Sequence, residues 1–174
     1  MRDKKFWLLV IGVLFVVVGV LIGRTQIVNN FLEDKDNEIT RVIKVIDGDT
    51  IQVLIGGKKE TVRLIGIDTP ETVDPRREVE CFGKEASRKL KSLVNGKSVV
   101  LKNDPMQSER DKYGRLLRYV FLKDRVHVNK LMIQEGYAHE YTFDSNPYKY
   151  QSEFKLAEKK AEKEKRGLWK EGVC

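Results

Sequence analysis

The sequence predicts an α+β domain in which five short strands close into a barrel with about three helices, preceded by one N-terminal transmembrane helix. Three observations support this fold class. Residues 38–68 contain three β-rich runs, which are separated by the turn sequences DGD and GGKK. Two further β-rich runs, KSVVLKND and RLLRYVFLKD, follow a helical pattern. Residues 6–23 contain no charged side chain, which is typical of a helix that crosses a membrane.

The apolar segment over residues 6–23 has 18 residues, close to the shortest helix that crosses the hydrocarbon region of a bilayer. No small-x-small cleavage site and no cysteine for lipid attachment follow it. We therefore expect a retained anchor, with a cleaved signal peptide as the alternative. Basic residues precede the segment and an acidic run follows it, so residues 1–5 are expected to be cytoplasmic and the main domain extracytoplasmic. Residues 24–37 are predicted to be a polar linker.

The predicted globular domain covers residues 38–174, and its helices have recognisable ends. Helical patterns cover residues 83–94, 128–135 and 148–166, and they end at Asn95-Gly96, Gly136 and Gly167. The helices therefore follow the third and the fifth strand. A short, strongly twisted antiparallel sheet of five strands commonly closes as the OB-fold, one face of which binds oligonucleotides.

The net charge and the small numbers of cysteines and histidines limit the kinds of partner and site that the chain can have. There are 33 Lys and Arg residues against 26 Asp and Glu, a formal net charge of +7, which suits a polyanionic partner. Cys81 and Cys174 could form one bridge in an oxidising compartment or remain free thiols, and the sequence leaves both alternatives open. His127 and His139 lack metal-ligand spacing, so we expect packing or surface roles for them.

Four carboxylates lie at the ends of two predicted strands. Asp47 and Asp49 flank a glycine in VIDGDT, while Asp68 and Glu71 lie in IDTPE at the end of a different strand. Hard oxygen ligands from two chain segments are what Ca²⁺ requires, whereas Zn²⁺ prefers His and Cys. Taken alone, a motif such as DGD is more often a simple turn, so the carboxylates need support from other residues.

Two arginines supply that support. Arg63 lies within a predicted strand, where a long cation is unusual unless it is paired or functional, and Arg115 begins another strand after a Lys-Tyr-Gly turn. Guanidinium groups bind the oxygens of a phosphodiester, which gains negative charge when water attacks it, and a divalent cation can take the remaining charge. Glu71 is the candidate base for the water, because Asp49 and Asp68 would hold the metal. An arginine taken alone usually forms a surface ion pair. Five charged groups at the strand ends of one small barrel instead indicate a phosphodiesterase site, and these groups are Asp49, Arg63, Asp68, Glu71 and Arg115.

The strand that carries Arg63 raises a geometric problem. Strict alternation places Arg63 on one face of the strand with Ile65 and Ile67, and it places Asp68 on the opposite face. The two side chains can meet only if the strand bends before its terminal turn. Gly66 is the expected position of that bend.

An ordered set of motifs resembles the staphylococcal nuclease (thermonuclease) family. The motifs are VIDGDT, RLIGIDTPE, DKYGRLLRYVF, EGYAHEY and KRGLW, and they extend from about residue 38 to residue 169. The spacings of 14 residues from Asp49 to Arg63, five more to Asp68, three to Glu71 and 44 to Arg115 also fit the family pattern. The resemblance implies an OB-fold nuclease domain over residues 38–174.

The resemblance implies a metal site and a base. Asp49 and Asp68 match the family's Ca²⁺ carboxylates, and Thr69 matches the residue whose backbone carbonyl completes the protein ligands. Asp47 matches a nearby acid that supports the site through water. Glu71 matches the general base of the family, or the residue that orients the attacking water.

The resemblance also implies which residues hold the substrate. Arg63 and Arg115 match the two catalytic arginines, which hold the phosphate and stabilise the developing charge. Lys112, Tyr113 and Tyr141 match positions that contact the nucleotide. Cationic and aromatic contacts of this kind suit a single-stranded substrate that is bound without strict sequence preference.

For a domain outside the cytoplasm, as residues 6–23 and their flanks predict, the activity that the resemblance implies is Ca²⁺-dependent endo- and exonucleolytic hydrolysis of DNA and RNA, which leaves 3′-phosphate ends. The alternative is a non-catalytic module of the same fold that binds single-stranded nucleic acid at the cell surface. The joint presence of five catalytic and metal residues favours the enzyme, and a purely structural anchor protein would leave the strand charges unexplained. Phe143 departs from the family by replacing a nucleotide-side tyrosine, and Cys81 and Cys174 depart from it by adding a candidate disulfide. No protein partner is implied.

Overall fold

A computed structural model of the chain describes residues 37–72 and 79–174. The predicted cytoplasmic N-terminus (1–5), transmembrane segment (6–23) and nearly all of the predicted linker (24–37) lie outside the described residues. Among the residues that are described, no helix is long and apolar enough to span a bilayer. The contacts of the described part belong to one unit, Glu38–Cys174.

The described residues form a closed barrel with three α-helices around it. The strands are β1 (Asn37–Asp47), β2 (Thr50–Ile55), β3 (Lys58–Leu64), β4 (Ile67–Asp68), β5 (Ser98–Lys102), β6 (Leu116–Leu122) and β7 (His139–Glu140), and the helices are α1 (Gly83–Val94), α2 (Val128–Gln134) and α3 (Gln151–Lys163). The barrel has the strand order β1-β2-β3-β6-β5, and β4 pairs with β7 in a separate two-stranded sheet. The predicted five-stranded α+β barrel is confirmed for this part of the chain.

The strand pairing follows from the short turns and one crossover. β1, β2 and β3 are joined by antiparallel hairpins, β5 and β6 are also antiparallel, and β3 pairs with β6 in parallel. Hydrogen bonds between Val42 and residues 96 and 97 connect β1 to the start of β5. The register of β1 shifts between Val45 and Asp47, and such irregularities increase the local twist of a strand. At the end of β1, Asp47 accepts hydrogen bonds from the backbone N–H and the hydroxyl of Thr72, in the chain that follows β4.

The core fills the barrel and the space under the helices. Ile51 and Val53 of β2 are fully buried, whereas Leu54 is exposed, as expected for a strand with one inward face. α1 buries Ala86, Leu90 and Val94, which recur every four residues and therefore form one side of the helix. The charged groups of interest lie at strand ends and in loops around this core.

Two details differ from the sequence prediction. The third helix covers residues 151–163 instead of 148–166. Tyr148 precedes it as a buried residue whose hydroxyl donates a hydrogen bond to Glu140, and Lys165 has a left-handed φ of +52°, which does not continue a helix. The second helix ends at residue 134, one residue early. The third predicted strand is divided at residues 65–66 into β3 and β4, and β7 was not predicted, because a strand of two residues shows no alternation of apolar and polar side chains.

The predicted bend lies at Gly66, between β3 and β4. Gly66 has a φ of +76°, a conformation that costs a residue with a side chain considerably more than glycine. A Cβ at this position would lie 2.6 Å from Cε2 of Tyr148. The bend therefore requires glycine both for its backbone angle and for its close contact with the buried tyrosine.

The C-terminal segment is fixed to the domain by backbone contacts and a disulfide. Leu168 donates a backbone hydrogen bond to the Gly136 carbonyl oxygen at 2.8 Å. Cys174 forms a disulfide with Cys81, which lies 93 residues earlier in the chain. The last residues of the chain are thus held next to the segment that precedes α1.

His127 has the packing role that its sequence context indicates. Its ring stacks on Phe121 with centroids 4.2 Å apart and meets Tyr119 edge-on at 5.4 Å. Its Nε2 atom is buried and has no hydrogen-bond partner among the described residues. Burial, with smaller contributions from the charges of Lys130 and Lys102, lowers the pKa of His127 to about 3.

We expect Gly66→Ala to reduce the free energy of unfolding by about 2–4 kcal/mol, because a left-handed backbone and a packing clash add together. Urea unfolding of the full chain in mild detergent measures this change. Gly57→Ala is the matched control, since Gly57 has a φ of +79° but a Cβ there would meet nothing within 4 Å. An equal loss in the two variants would contradict a specific role for the Tyr148 contact.

We expect His127 to make the fold sensitive to acid. The unfolded histidine binds a proton below its ordinary pKa of about 6.5, whereas the folded one stays neutral to about pH 3. Stability is therefore lost as the pH falls below about 6.5, by up to about 2 kcal/mol between pH 7 and pH 5. Unfolding measured at both pH values should show this loss in the wild type and a smaller one in His127→Gln. The same pH dependence in both proteins would contradict the assignment.

Candidate active site

Arg63 joins two carboxylates at the end of β3. Its Nη2 atom lies 2.8 Å from Oδ1 of Asp68 and 3.0 Å from Oδ2 of Asp49. Its Nη1 atom donates hydrogen bonds to the carbonyl oxygens of Leu64 (2.9 Å) and Ile67 (2.7 Å). Because the chain bends at Gly66, the arginine and the aspartate meet although strict alternation would place them on opposite faces. The geometric problem in the sequence is resolved in this way.

Asp47 is the last residue of β1, and Asp49 lies in the tight turn between β1 and β2. Asp49 accepts a hydrogen bond from the Thr50 hydroxyl at 2.7 Å and a longer one from the Thr69 backbone N–H at 3.4 Å. A Cβ at Gly48 would lie 2.7 Å from Oγ1 of Thr69. The glycine of the DGD motif therefore lets this turn approach the chain that follows β4.

Asp47 is buried, and its pKa is shifted from the ordinary value. Burial is the main cause that raises its pKa to about 6, and the neighbouring Asp49 charge and a hydrogen bond with Glu71 add to this shift. Hydrogen bonds from Thr72 and from the Gly48 backbone N–H lower the pKa and only partly compensate. Negative charge is therefore concentrated at this end of the barrel.

Asp68 is placed between the buried turn and the solvent. Desolvation by the surrounding protein raises its pKa, and Arg63 opposes that shift. About half of the Asp68 side chain is exposed, at 53 %, so one side of the carboxylate remains accessible to a ligand.

The donor set suits a Ca²⁺ ion. The carboxylate oxygens of Asp49 and Asp68 share one nitrogen of Arg63 at 3.0 and 2.8 Å, so two hard oxygens from different segments already converge on one cationic atom. Within the described residues, no group of three His, Cys, Asp or Glu could hold a metal. The remaining ligands would have to be a backbone carbonyl, such as that of Thr69, and water, which Ca²⁺ accepts.

Glu71 lies beside Asp47. Its backbone N–H donates to Oε2 of Glu80 at 2.9 Å, and its carbonyl accepts from the Glu80 backbone N–H at 2.9 Å. Its Oε1 atom accepts from the backbone N–H of Thr72 at 2.9 Å. Glu71 is therefore held at both backbone groups and at its carboxylate. The role of Glu80 in holding it was not visible in the sequence, because it depends on a pairing between two loops.

Arg115 is oriented by Asp111, which sequence reasoning missed. Oδ2 of Asp111 accepts from Nε of Arg115 at 2.6 Å, and Oδ1 accepts from the backbone N–H groups of Arg115 and Tyr113 at 2.9 Å. Burial alone would raise the pKa of Asp111, but these hydrogen bonds and the Arg115 charge lower it. The position of an aspartate at the start of an Asp-Lys-Tyr-Gly turn could have indicated it, since Asp commonly accepts backbone hydrogen bonds in turns.

A cavity of about 620 Å³ connects the arginines with the aromatic residues. Tyr113 is 72 % exposed, and the exposed rings of Tyr141 and Phe143 lie 6.4 Å apart. Lys112 and Arg115 lie against the Tyr113 ring. Six predicted site residues line this cavity: Arg63, Asp68, Lys112, Tyr113, Arg115 and Tyr141.

Asp47, Asp49 and Glu71 do not line the cavity among the described residues. Asp49 forms an ion pair with Arg63, which does line the cavity. Glu71 hydrogen-bonds with Asp47, and Asp47 lies next to the charge of Asp49. The structure thus brings the predicted residues together as two adjoining groups. One group is acidic and the other is cationic and aromatic.

These features define the class of protein: an OB-fold domain that has an acid–arginine cluster beside a cavity lined by cations and aromatic rings. Such a cavity suits an anionic ligand that contains rings. The family described as staphylococcal nuclease homologues matches residues 61–171, and the chain belongs to this family. It is 37 % identical over 165 residues to a thermonuclease of Staphylococcus hyicus, covering 91 % of this chain and 95 % of the relative. It is 42 % identical over 127 residues to the endonuclease YncB of Bacillus subtilis (strain 168), covering 72 % of this chain and 59 % of that protein's length.

We expect Arg63→Gln to reduce the free energy of unfolding by about 2–3 kcal/mol, because it leaves two carboxylates facing each other and removes donors from two carbonyls. Chemical unfolding in the presence of a chelator measures the loss. Arg110→Gln is the matched control, since Arg110 forms an exposed ion pair with Glu60 at 2.8 Å and such pairs contribute little. A loss in Arg63→Gln no larger than in Arg110→Gln would contradict the bridging role.

Proposed function

We propose that this chain is a Ca²⁺-dependent endo- and exonuclease, which hydrolyses the phosphodiester bonds of DNA and RNA, prefers single strands and leaves 3′-phosphate ends. One observation carries the proposal: Arg63 and Arg115 line the same cavity as Asp68, while Arg63 joins Asp68 to Asp49. Membership of the family and the thermonuclease and endonuclease relatives support a hydrolytic nuclease.

The two arginines would bind the scissile phosphate. Arg63 is fixed by the carbonyls of Leu64 and Ile67, and Arg115 is fixed through Nε by Asp111. Guanidinium groups that are fixed in this way can donate in only a few directions. Donors that are already oriented stabilise the charge that develops on a phosphoryl group without reorganisation during the reaction.

Asp49 and Asp68 would hold Ca²⁺ together with the Thr69 carbonyl, and Asp47 would support the site through water. When bound, the ion supplies positive charge that offsets the developing negative charge of the phosphate. Nη2 of Arg63 contacts the same two carboxylates, so the arginine lies directly beside the proposed ion site.

Glu71 would accept a proton from the attacking water or orient it. Its carboxylate is held by the Thr72 backbone and hydrogen-bonds with Asp47. A base needs a defined position relative to the reacting water. The two backbone hydrogen bonds with Glu80 give Glu71 such a position.

The exposed aromatic residues would bind the nucleotide. Tyr113 and Tyr141 line the cavity with exposed rings beside Lys112, and Phe143 adds a third ring. Stacking on such rings does not depend strongly on base identity and requires an unpaired base. This is the support for a single-stranded substrate, either DNA or RNA.

We place the enzyme at the cell membrane, with residues 6–23 as its anchor and the domain outside the cytoplasm. The apolar composition of residues 6–23 supports the anchor. The Cys81–Cys174 disulfide supports an oxidising compartment, because such bonds are rare in the cytosol. A cleaved, secreted form of the same domain is the alternative.

The full chain in mild detergent, mixed with single-stranded DNA or RNA, should produce 3′-phosphate ends with Ca²⁺ and no products with excess chelator. Glu71→Gln should retain Ca²⁺ and oligonucleotide binding while turnover falls by about 10² or more, as expected for a lost general base. Glu153→Gln, a change of an exposed carboxylate on α3, is the matched control and should retain the wild-type rate. Ca²⁺-dependent binding without hydrolysis would instead favour the non-catalytic binding module.

A further inference from the structure

The Cys81–Cys174 disulfide lies one residue from a group that holds the candidate base. Glu80 pairs with Glu71 through its backbone N–H and through its carboxylate, both at 2.9 Å. The next residue along the chain, Cys81, is bonded to Cys174. Whatever fixes Cys81 therefore also limits the movement of Glu80, and through it the movement of Glu71.

The segment over residues 80–83 is packed against the chain that carries Glu71. A Cβ at Gly83 would lie 2.6 Å from Cγ2 of Thr72 and 2.8 Å from the carbonyl oxygen of Pro70. This close approach means that a displacement of residues 80–83 would be transmitted to residues 70–72. Phe82 has a positive φ of 67°, which a non-glycine residue keeps only where its surroundings impose it.

The other end of the disulfide is equally fixed. The strap, which we define as residues 166–174, is anchored where Leu168 donates to the Gly136 carbonyl oxygen at 2.8 Å. The backbone there is so close that a Cβ at Gly136 would lie 2.2 Å from the Arg166 carbonyl oxygen. The residue after Gly136, Tyr137, stacks on Phe82 at 5.5 Å. The strap and residues 80–83 are thus held to one part of the domain.

The disulfide itself contributes no core packing. Both cysteines are exposed, and the core is formed by other residues. The disulfide therefore restricts the movement of the two segments that it joins. One of these segments, residues 80–83, holds Glu71.

We propose that Cys81 and Cys174 are positioning residues: their disulfide fixes residues 80–83, and these hold the Glu71 backbone in the orientation that hydrolysis requires. The proposal rests on the proposed function, in which Glu71 handles the attacking water. A displaced base still allows the substrate to bind, because the arginines and aromatic rings lie in separate segments. The loss should therefore affect kcat and leave KM nearly unchanged.

The test is a double-mutant cycle in the full chain, assayed with Ca²⁺ and single-stranded DNA. Cys81→Ser with Cys174→Ser should lower kcat about tenfold or more, the effect expected when a reacting group is misplaced. The same cysteine changes should lower the residual rate no further in the Glu71→Gln background. Val99→Ala, a core change on β5, is the control for general destabilisation and should leave kcat at the wild-type value.

Several results would overturn the proposal. These are an unchanged kcat, an equal fractional loss in both backgrounds, or a loss confined to KM. If the serine variant does not fold by circular dichroism, wild-type protein reduced with a phosphine replaces it. A reduced chain that unfolds completely would show that the bridge supports the whole domain instead of Glu71.

The wild-type rate distinguishes a failure of this inference from a failure of the proposed function. A wild-type chain that does not hydrolyse DNA or RNA with Ca²⁺ overturns both. A wild-type chain that hydrolyses them, but whose kcat does not depend on the bridge, overturns this inference alone.

Discussion

The guanidinium of Arg63 is the interaction on which the site depends. One of its nitrogens binds the carbonyls of Leu64 and Ile67, on the two sides of the bend, and the other joins Asp49 to Asp68. A lysine could not make these four contacts, because its donors radiate from one atom, whereas a guanidinium carries them on a planar fork. The arginine thus links the β1–β2 turn to the end of β3 and fixes the distance between the two acids.

This arrangement needs support from outside the site. The Gly66 bend is covered by Tyr148, whose hydroxyl donates to Glu140 in β7, the strand that pairs with β4. Asn129 of α2 is fully buried, donates to the carbonyl of Ile65 at 2.9 Å and accepts from the Val120 backbone N–H at 2.9 Å. Buried polar groups of this kind must be satisfied to be tolerated. The residues that shape the site therefore include a buried helix asparagine and a tyrosine of the cavity lining, neither of which was predicted as a site residue.

The sequence predicts the parts of this structure that leave a periodic or spaced pattern. The barrel strands show alternation, α1 shows an apolar side, and the carboxylate and arginine motifs lie at strand ends. The parts that it does not predict depend on single hydrogen bonds to the backbone. Asp111 beneath Arg115 and Glu80 beside Glu71 are of this kind, and so is the two-residue sheet of β4 and β7. Residue type and spacing do not distinguish Glu80 from an ordinary surface acid, and only its position at the start of a turn marks Asp111.

In the proposed nuclease the carboxylates that would hold the metal are also the ones that contact Arg63. Nη2 of Arg63 lies within 3.0 Å of Asp49 and 2.8 Å of Asp68, so the cluster of like charges contains a cation of its own chain. Nη1 is bound to the carbonyls on the two sides of the bend, and this fixes the guanidinium relative to both acids. Arg63 also lines the cavity together with Arg115, and guanidinium groups bind phosphate oxygens well. The side chain that compensates the two acids is therefore also one that would bind the phosphate, so the acidic part and the cationic part of the site depend on the same residue.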